Sequence, residues 1–147
     1  MNLKNKQKIS WILLIGWMAF IFIMSHQPGE VSSKQSNFVI YVFNALGLNL
    51  SDKLGDLATF IVRKGAHFSE YMILLFLVYN ALRFYINNSK ARILGVIIVF
   101  LYACTDEFHQ LFIEGRSGQF KDVLIDTFGG AFGALITLAI SKFKKNK

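Results

Sequence analysis

The side chains of this sequence that could carry chemistry are carboxylates, histidines and arginines set within apolar sequence. Three groups of them share a helix face through spacings of three, four or seven residues: Arg63, His67 and Glu70; Asp106, His109 and Gln110; and Asp122 and Asp126. Two carboxyl groups in different environments can divide the roles of general acid and general base, and a histidine can relay the proton. We therefore expect acid–base chemistry. The candidate catalytic residues are Glu70, Asp106, His67 and His109.

The second group lies at the end of an apolar run, Ile93 to Cys104, that is too short to cross a bilayer. A helix that crosses must continue to about Phe112, and it then carries Asp106 to membrane depth. Ionisable groups there cost roughly 2.5 to 3.5 kcal/mol each on insertion scales, so they usually face a bundle interior or a water-filled cavity. Glu107 lies about 100° around the helix from Asp106, and we expect it to point elsewhere, toward Lys121 or the lipid headgroups.

Composition places the chain among membrane proteins. It has 147 residues, of which 54% are hydrophobic, and a mean hydropathy of +0.44, which is too apolar for an ordinary soluble domain of this size. The net charge of +7 is divided among short segments that flank apolar runs, and no basic and aromatic RNA-binding motif is present, so we expect no nucleic-acid partner. A single cysteine, Cys104, excludes an internal disulfide.

Four hydrophobic stretches predict an all-α fold, an integral membrane four-helix transmembrane bundle within one domain, 1–147. The predicted spans are 9–25, 66–85, 93–112 and 120–141. The first span is expected to stay uncleaved, because the residues from Met24 to Pro28 offer no small-x-small cleavage site. In the fourth span, Gly129 and Gly133 have the Gly-x-x-x-Gly spacing that allows close helix packing.

The outer segment 26–65 is too polar to span, and we expect two short interfacial helices in it. Ser36 can cap a first helix that Gly47 ends, and Ser51 can cap a second. In the second helix the apolar residues share one face: Leu54, Leu57, Ala58, Ile61 and Val62.

The distribution of charge predicts the orientation of the spans. Ten of the sixteen Lys and Arg residues fall on the side that holds both termini, which predicts a multi-pass protein of the plasma membrane with both termini cytoplasmic. The acidic residues and histidines fall on the other side, together with Ser25, Gln27 and Arg116. We therefore expect a polar cup that opens to the outside of the cell.

The sequence resembles the VanZ-like family of bacterial membrane proteins through four blocks that cover residues 11–140. The blocks are Ser25-x-Gln27; Arg63-Lys64-x-x-His67-x-x-Glu70-Tyr71; Asp106-Glu107-x-His109-Gln110 with Arg116; and Asp122-x-x-x-Asp126 followed by Gly129 and Gly130. The family is named after an accessory protein linked with reduced teicoplanin susceptibility in Gram-positive bacteria. The resemblance therefore implies a role in the cell envelope and in resistance to glycopeptide antibiotics, without implying a reaction.

The expected ligand is an envelope molecule, such as a lipid-linked cell-wall precursor, or a glycopeptide antibiotic. Its phosphate would meet Arg63, Lys64 or Arg116. The remaining candidate substrate contacts are Ser25, Gln27, Gln110, Asp122 and Asp126. Besides this ligand, the expected partner is the lipid bilayer, and the sequence gives no oligomeric state.

Three alternatives to acid–base catalysis stay open. A metal could be held by His67, Glu70, Asp106 and His109, but His-x-x-Glu and Asp-x-x-His recur by chance, so we assign no metal and no cofactor. The polar residues could instead pair among themselves and fix the helix register. Finally, the protein could bind or mask a precursor or lipid without catalysis, which requires the same polar cup and no proton transfer.

Overall fold

Six α-helices form the protein in a computed structural model that describes residues 2–55 and 57–145, with the Lys145 side chain left out. The helices are α1 (Leu3–Ser25), α2 (Gly29–Ala45), α3 (Leu50–Leu54), α4 (Leu57–Leu82), α5 (Asn88–Gln110) and α6 (Phe120–Lys145). No strand occurs in these two ranges, which confirms the all-α prediction. The charges of Asp56 and Lys147, which enter the orientation argument, lie outside the described residues.

Helix α4 lies at the centre of the molecule and contacts every other helix, while α6 packs against both α4 and α5. Successive long helices, α1, α4, α5 and α6, are antiparallel. Asn80 near the end of α4 donates to Ser10 near the start of α1 at 2.8 Å, and Arg92 near the start of α5 donates to Ser141 near the end of α6 at 2.8 Å. Gly95, also near the start of α5, lies against Val78 near the end of α4. The end of α1, the start of α4, the end of α5 and the start of α6 therefore meet at one end of the bundle, which we call the site end. All three groups of candidate residues lie there.

The hydrophobic core is built around α4. Its side chains Tyr71, Leu74, Leu75 and Val78 are each at most 1% exposed. They pack with apolar residues of the three other long helices: Leu14, Ile21, Val99, Ala103 and Val123. The apolar centre therefore lies directly next to the polar site end, with Tyr71 at the boundary.

Glycines of α6 allow the closest helix contacts, as the spacing predicts. Gly129 lies so close to the backbone of Phe68 in α4 that a Cβ there would collide with the Phe68 carbonyl group, and Gly133 lies against Met72 of the same helix. Gly130 faces α5, where a Cβ would lie 2.6 Å from a methyl group of Val99. The three glycines therefore let α6 approach both neighbours.

The first interfacial helix of the outer segment begins earlier than predicted. Helix α2 begins at Gly29 after Pro28, and Ser36 lies inside it, where its hydroxyl donates to the Ser32 carbonyl at 3.0 Å. The early start is stabilised from outside the segment, because the Gly29 N–H donates to the Glu114 carbonyl at 3.0 Å. The end of α2 is as predicted, since Gly47 adopts a φ of +86° after the last turn.

The second interfacial helix was predicted wrongly. Helix α3 is a single turn that ends at Leu54, where Gly55 adopts a φ of +51°. Leu57 and the apolar residues after it belong to α4, which thus begins well before residue 66. The helix that carries Arg63 and His67 is therefore continuous with the core segment.

Two of the described helices are long and apolar enough to cross a membrane by length and composition, Leu3–Ser25 and Phe120–Lys144. They correspond to the first and fourth predicted spans. Helices α4 and α5, which contain the other two, do not meet that criterion. Polar residues interrupt the apolar sequence of both helices, among them His67 and Glu70 in α4, and Asp106, Glu107, His109 and Gln110 in α5.

Candidate functional site

Four ionisable side chains from three helices meet at the site end. One ligand atom each from His67 of α4, Asp106 and Glu107 of α5, and Asp126 of α6 lies within 4.8 Å of all the others. The three carboxylate residues are between 0% and 4% exposed. We call these four residues the carboxylate–histidine cluster. The contact between Gly129 of α6 and the backbone of Phe68 in α4 brings His67 and Asp126 of this cluster together, because Phe68 follows His67 and Gly129 lies one turn after Asp126.

Asp126 is the most enclosed member of the cluster. It is fully buried, and neither of its carboxylate oxygens has a hydrogen-bond partner among the described residues. Its Oδ1 lies 3.6 Å from Nδ1 of His67, which is too long for a hydrogen bond. Sequence analysis assigned Asp126 to substrate contacts, whereas in the structure it lies beside His67 and lines neither of the two cavities described below.

Asp106 has a partner on one oxygen only. Its Oδ2 accepts from the Gln110 side-chain amide at 3.3 Å. Its Oδ1 makes no hydrogen bond within the described residues, and neither do the hydroxyl groups of Ser25 and Tyr71, which lie near this carboxylate. Sequence analysis did not place Tyr71 among the candidate catalytic or substrate-binding residues. Its place after Glu70 in the second sequence block is the signal that its hydroxyl belongs to the site.

Glu107 does not point away from the site, which corrects the prediction. It is 4% exposed, and its carboxylate accepts from the Gln119 backbone N–H at 2.9 Å and from the Gln110 amide at 3.3 Å. The chain after α5 turns back over the end of that helix, and Gly118 packs against the backbone carbonyl of Glu107. Glu107 thus satisfies a backbone donor at the start of α6, where negative charge is favourable.

Arg116, in the turn between α5 and α6, holds the end of α1. Its Nε donates to the Gln27 carbonyl at 3.1 Å and its Nη2 to the Met24 carbonyl at 3.3 Å. Burial lowers the pKa of the Arg116 guanidinium and nearby Arg63 lowers it further, while Asp106 and other carboxylates oppose the shift. Arg116 remains a cation, and it lies within electrostatic reach of the cluster without forming an ion pair with it.

The cations of α4 have partners outside the cluster. Arg63 donates from Nη2 to the Ser33 hydroxyl of α2 at 2.8 Å. Lys64 forms an ion pair with Asp122 of α6 at 2.5 Å. These contacts tie α2 and α6 to the start of α4.

His109 and Gln27 lie apart from the cluster. His109 packs against Phe22 at a tilted angle and stacks on the ring of His26, with 3.0 Å between Nε2 of His109 and Nδ1 of His26. The Gln27 side chain accepts from the Gln35 amide at 2.7 Å. Neither residue lines the two cavities described below. His109 lies on the side of α5 that faces α1, so the helix-face argument grouped it with Asp106 too broadly.

A cavity of about 590 Å³ lies between α1, α2 and α4. Most of its lining is apolar and includes Ile21, Val31, Phe38, Val39 and Val62. Its polar lining consists mainly of candidate residues: Ser25, Arg63, His67, Glu70, Asp106 and Arg116. Glu70 and Asp106 therefore face the same space. We call this space the apolar cavity.

A second cavity of about 420 Å³ lies on the other side of Arg63 and His67, against α6. Four cationic side chains line it, with one carboxylate: Arg63, Lys64, Arg116, Lys121 and Asp122. We call it the cationic cavity. Gln110 also lines it. The two cavities share Arg63, His67 and Arg116, so an apolar space and a positively charged space adjoin at the cluster.

Comparison with known proteins gives one finding. The family model described as VanZ/LLP1 matches residues 10–141, which include all of α4 and α5, most of α1 and α6, and every residue of the cluster. No curated protein and no solved structure matches the chain. The match covers far more than half of the sequence and confirms the suspected family, so this chain belongs to the VanZ/LLP1 family.

Proposed function

We propose that this chain is an integral membrane protein of the bacterial cell envelope in which all four long helices span the bilayer. Family membership and the two apolar helices support a membrane protein. The packing of α4 and α5 against them supports four spans, since Asp106, Glu107 and Gln110 of α5 are buried at the site end and His67 and Glu70 of α4 are partly buried there. The excess of Lys and Arg at the opposite end supports cytoplasmic termini and an outward site end.

The ligand in this proposal is an anionic amphiphile, such as a lipid-linked cell-wall precursor. One observation carries it: the apolar cavity and the cationic cavity adjoin at Arg63, His67 and Arg116. An acyl or prenyl chain suits the apolar lining from α1 and α2, and a phosphate suits the four cations, two of which are arginines that can bind it through paired hydrogen bonds. A molecule with both parts would occupy both cavities at once.

Acid–base chemistry on this ligand would use Glu70 and Asp106. Both line the apolar cavity, but Asp106 is 3% exposed and has a donor on one oxygen, whereas Glu70 is only partly buried. Such a difference in environment lets one carboxyl hold a proton while the other accepts one. His67 lies at the junction of the cavities and is suited to relay it.

The alternative is a protein that binds or masks the precursor without transforming it. The same cavities support it, because binding needs the arginines and the apolar lining but no carboxylate. In either case, we propose that the biological effect is lower susceptibility to glycopeptide antibiotics such as teicoplanin in a Gram-positive host. The family assignment supports this effect.

The test is antibiotic susceptibility in a Gram-positive host that lacks the protein, complemented at equal membrane abundance. The variants are Glu70→Gln, Asp106→Asn and Arg63→Gln, and the matched control is Glu30→Gln, whose carboxylate is 78% exposed and meets only Lys34. Loss of the phenotype in the first three variants, with the control like wild type, would support catalysis. Loss in Arg63→Gln alone would favour masking. A wild type with no effect on teicoplanin susceptibility would contradict the resistance proposal.

A further inference from the structure

We propose that the carboxylate–histidine cluster is a binding site for one divalent metal ion of the Mn²⁺ or Zn²⁺ type. His67 would supply a nitrogen, and Asp106, Glu107 and Asp126 would each supply an oxygen. This inference rests on the geometry of the cluster and not on the proposed ligand or resistance function. It differs from the metal alternative considered for the sequence, because Glu107 and Asp126 take the places of Glu70 and His109.

The spacing of the ligand atoms suits a common ion. All four atoms lie within 4.8 Å of one another. Ligands that each lie 2.0 to 2.2 Å from one ion are at most roughly 4.4 Å apart, so a small rotation of side chains would complete the coordination. The four residues come from three helices whose contacts at the site end are fixed by backbone packing. The site is therefore part of the rigid bundle and not of a surface loop.

The hydrogen bonding of the cluster is incomplete in the way that a bound cation would explain. Four buried atoms have no partner among the described residues: His67 Nδ1, Asp106 Oδ1, Asp126 Oδ1 and Asp126 Oδ2. Asp126 supplies two of them and is fully buried. Buried carboxylates are normally paired, hydrogen-bonded or bound to a metal, because a bare charge loses its hydration without compensation. The unpartnered, buried carboxylate oxygens therefore suit a bound cation.

Among the described residues, three of the four cations that line the cationic cavity have other partners. Lys64 is paired with Asp122, Arg63 donates to Ser33, and Arg116 donates to two carbonyl groups at the end of α1. None of them comes within 4.0 Å of a carboxylate of the cluster. Three carboxylates therefore share a small buried volume without a bound positive charge.

The atoms that do have partners hold the ligands in position. The Gln110 amide donates to Asp106 Oδ2 and to Glu107 Oε1, and the Gln119 N–H donates to Glu107 Oε2. These bonds leave Asp106 Oδ1 free to bind an ion and fix the orientation of both α5 carboxylates. Hydrogen bonds of this kind around metal ligands commonly set the affinity of the site.

The chemistry of the donors selects the class of ion. One imidazole with three carboxylates provides no thiolate, and the single cysteine, Cys104, is not in the cluster. Such a set disfavours Cu⁺ and suits a borderline or hard divalent ion, of which Mn²⁺ and Zn²⁺ accept both imidazole and carboxylate. The polar lining of both cavities includes His67, so an ion there would also be within reach of a bound phosphate.

The experiment measures metal bound to the purified full-length protein in detergent. The protein is treated with a chelator, desalted, and titrated with Mn²⁺ or Zn²⁺, with bound metal measured by mass spectrometry and the apparent melting temperature measured in parallel. The variants are Asp126→Asn and His67→Gln. The matched control is Asp52→Asn, which changes an exposed aspartate of α3 outside the cluster.

Wild type and Asp52→Asn are expected to bind one ion per chain and to melt at a higher temperature when it is present, since a ligand of the folded state stabilises it. Asp126→Asn and His67→Gln should bind at least tenfold more weakly and lose the metal-dependent increase in melting temperature. Should one variant fail to give a monodisperse helical protein, the other decides. Wild type that binds neither ion, or cluster variants that bind like Asp52→Asn, would overturn the proposal. If wild type binds no metal and Asp126→Asn melts at a higher temperature than wild type, the carboxyl groups of the cluster are held by protons and not by an ion, which would also overturn the proposal.

Discussion

The contact between α6 and α4 at Gly129 determines whether Asp126 can reach His67, and it gives the most direct test of the fold. A Cβ built on Gly129 would lie 3.0 Å from the carbonyl carbon of Phe68, 3.1 Å from its Cα and closer still to its carbonyl oxygen. These are backbone atoms of a helix, which cannot rotate away as a side chain does. Gly129→Ala therefore requires the two helices to separate.

The expected cost follows from two opposing terms. Overpacking of a close-packed contact costs typically about 1 to 3 kcal/mol, and a backbone obstacle favours the upper part of that range. Alanine in a helix gains roughly 0.5 to 1 kcal/mol over glycine. We expect Gly129→Ala to lower the free energy of unfolding by about 1 to 2 kcal/mol, which corresponds to a decrease of roughly 2 to 8 °C in the melting temperature of a chain of this size.

Gly16→Ala provides the matched control, because Gly16 lies in helix α1 and a Cβ there meets no atom within 4 Å. It should be neutral or slightly stabilising. The melting temperatures of wild type and both variants would be measured in the same detergent, with far-ultraviolet circular dichroism as the signal. Equal stability of Gly129→Ala and Gly16→Ala would refute the close contact, and with it the reason given for the position of Asp126.

Two further substitutions test other contacts of the site end. Arg116→Lys cannot keep both hydrogen bonds to the end of α1, and it should lower the free energy of unfolding by about 1.5 to 3 kcal/mol in thermal unfolding. The control is Arg83→Lys, at an exposed arginine, which should stay within about 0.5 kcal/mol of wild type. Tyr102→Phe removes the 2.6 Å hydrogen bond to the Met18 carbonyl and should lower the free energy of unfolding by about 1 kcal/mol in the same assay. Tyr41, which is 69% exposed, provides the control, and a loss no larger than that of Tyr41→Phe would contradict this prediction.

Spacing along the chain was sufficient to predict the polar face of α4 and the face of α6 that packs against it. His67 and Glu70 share a face of α4, and both reach the apolar cavity. Gly129 and Gly133 pack against α4 as their spacing predicts. These features depend on the helical repeat and on side-chain size within one element, which the sequence contains directly.

Contacts between helices and distant loop segments could not be predicted from spacing along the chain. The helical repeat places Glu107 about 100° around α5 from Asp106, but it does not show which part of the chain covers the face that carries Glu107. That part is the turn that carries Gly118 and Gln119, and its course depends on tertiary packing. The early start of α2 has a similar origin, because the Gly29 N–H is satisfied by the distant Glu114 carbonyl.

The proposed ion also changes how the two carboxylates of the apolar cavity should be interpreted. Asp106 belongs to the carboxylate–histidine cluster and has one oxygen without a hydrogen bond, whereas Glu70 lines the apolar cavity without belonging to the cluster. An ion that held Asp106 would keep it ionised, and the role of proton donor or acceptor toward a bound amphiphile would fall to Glu70. The functional assignment of the two carboxylates, which the sequence leaves open, therefore follows from occupancy of the cluster and not from either residue alone.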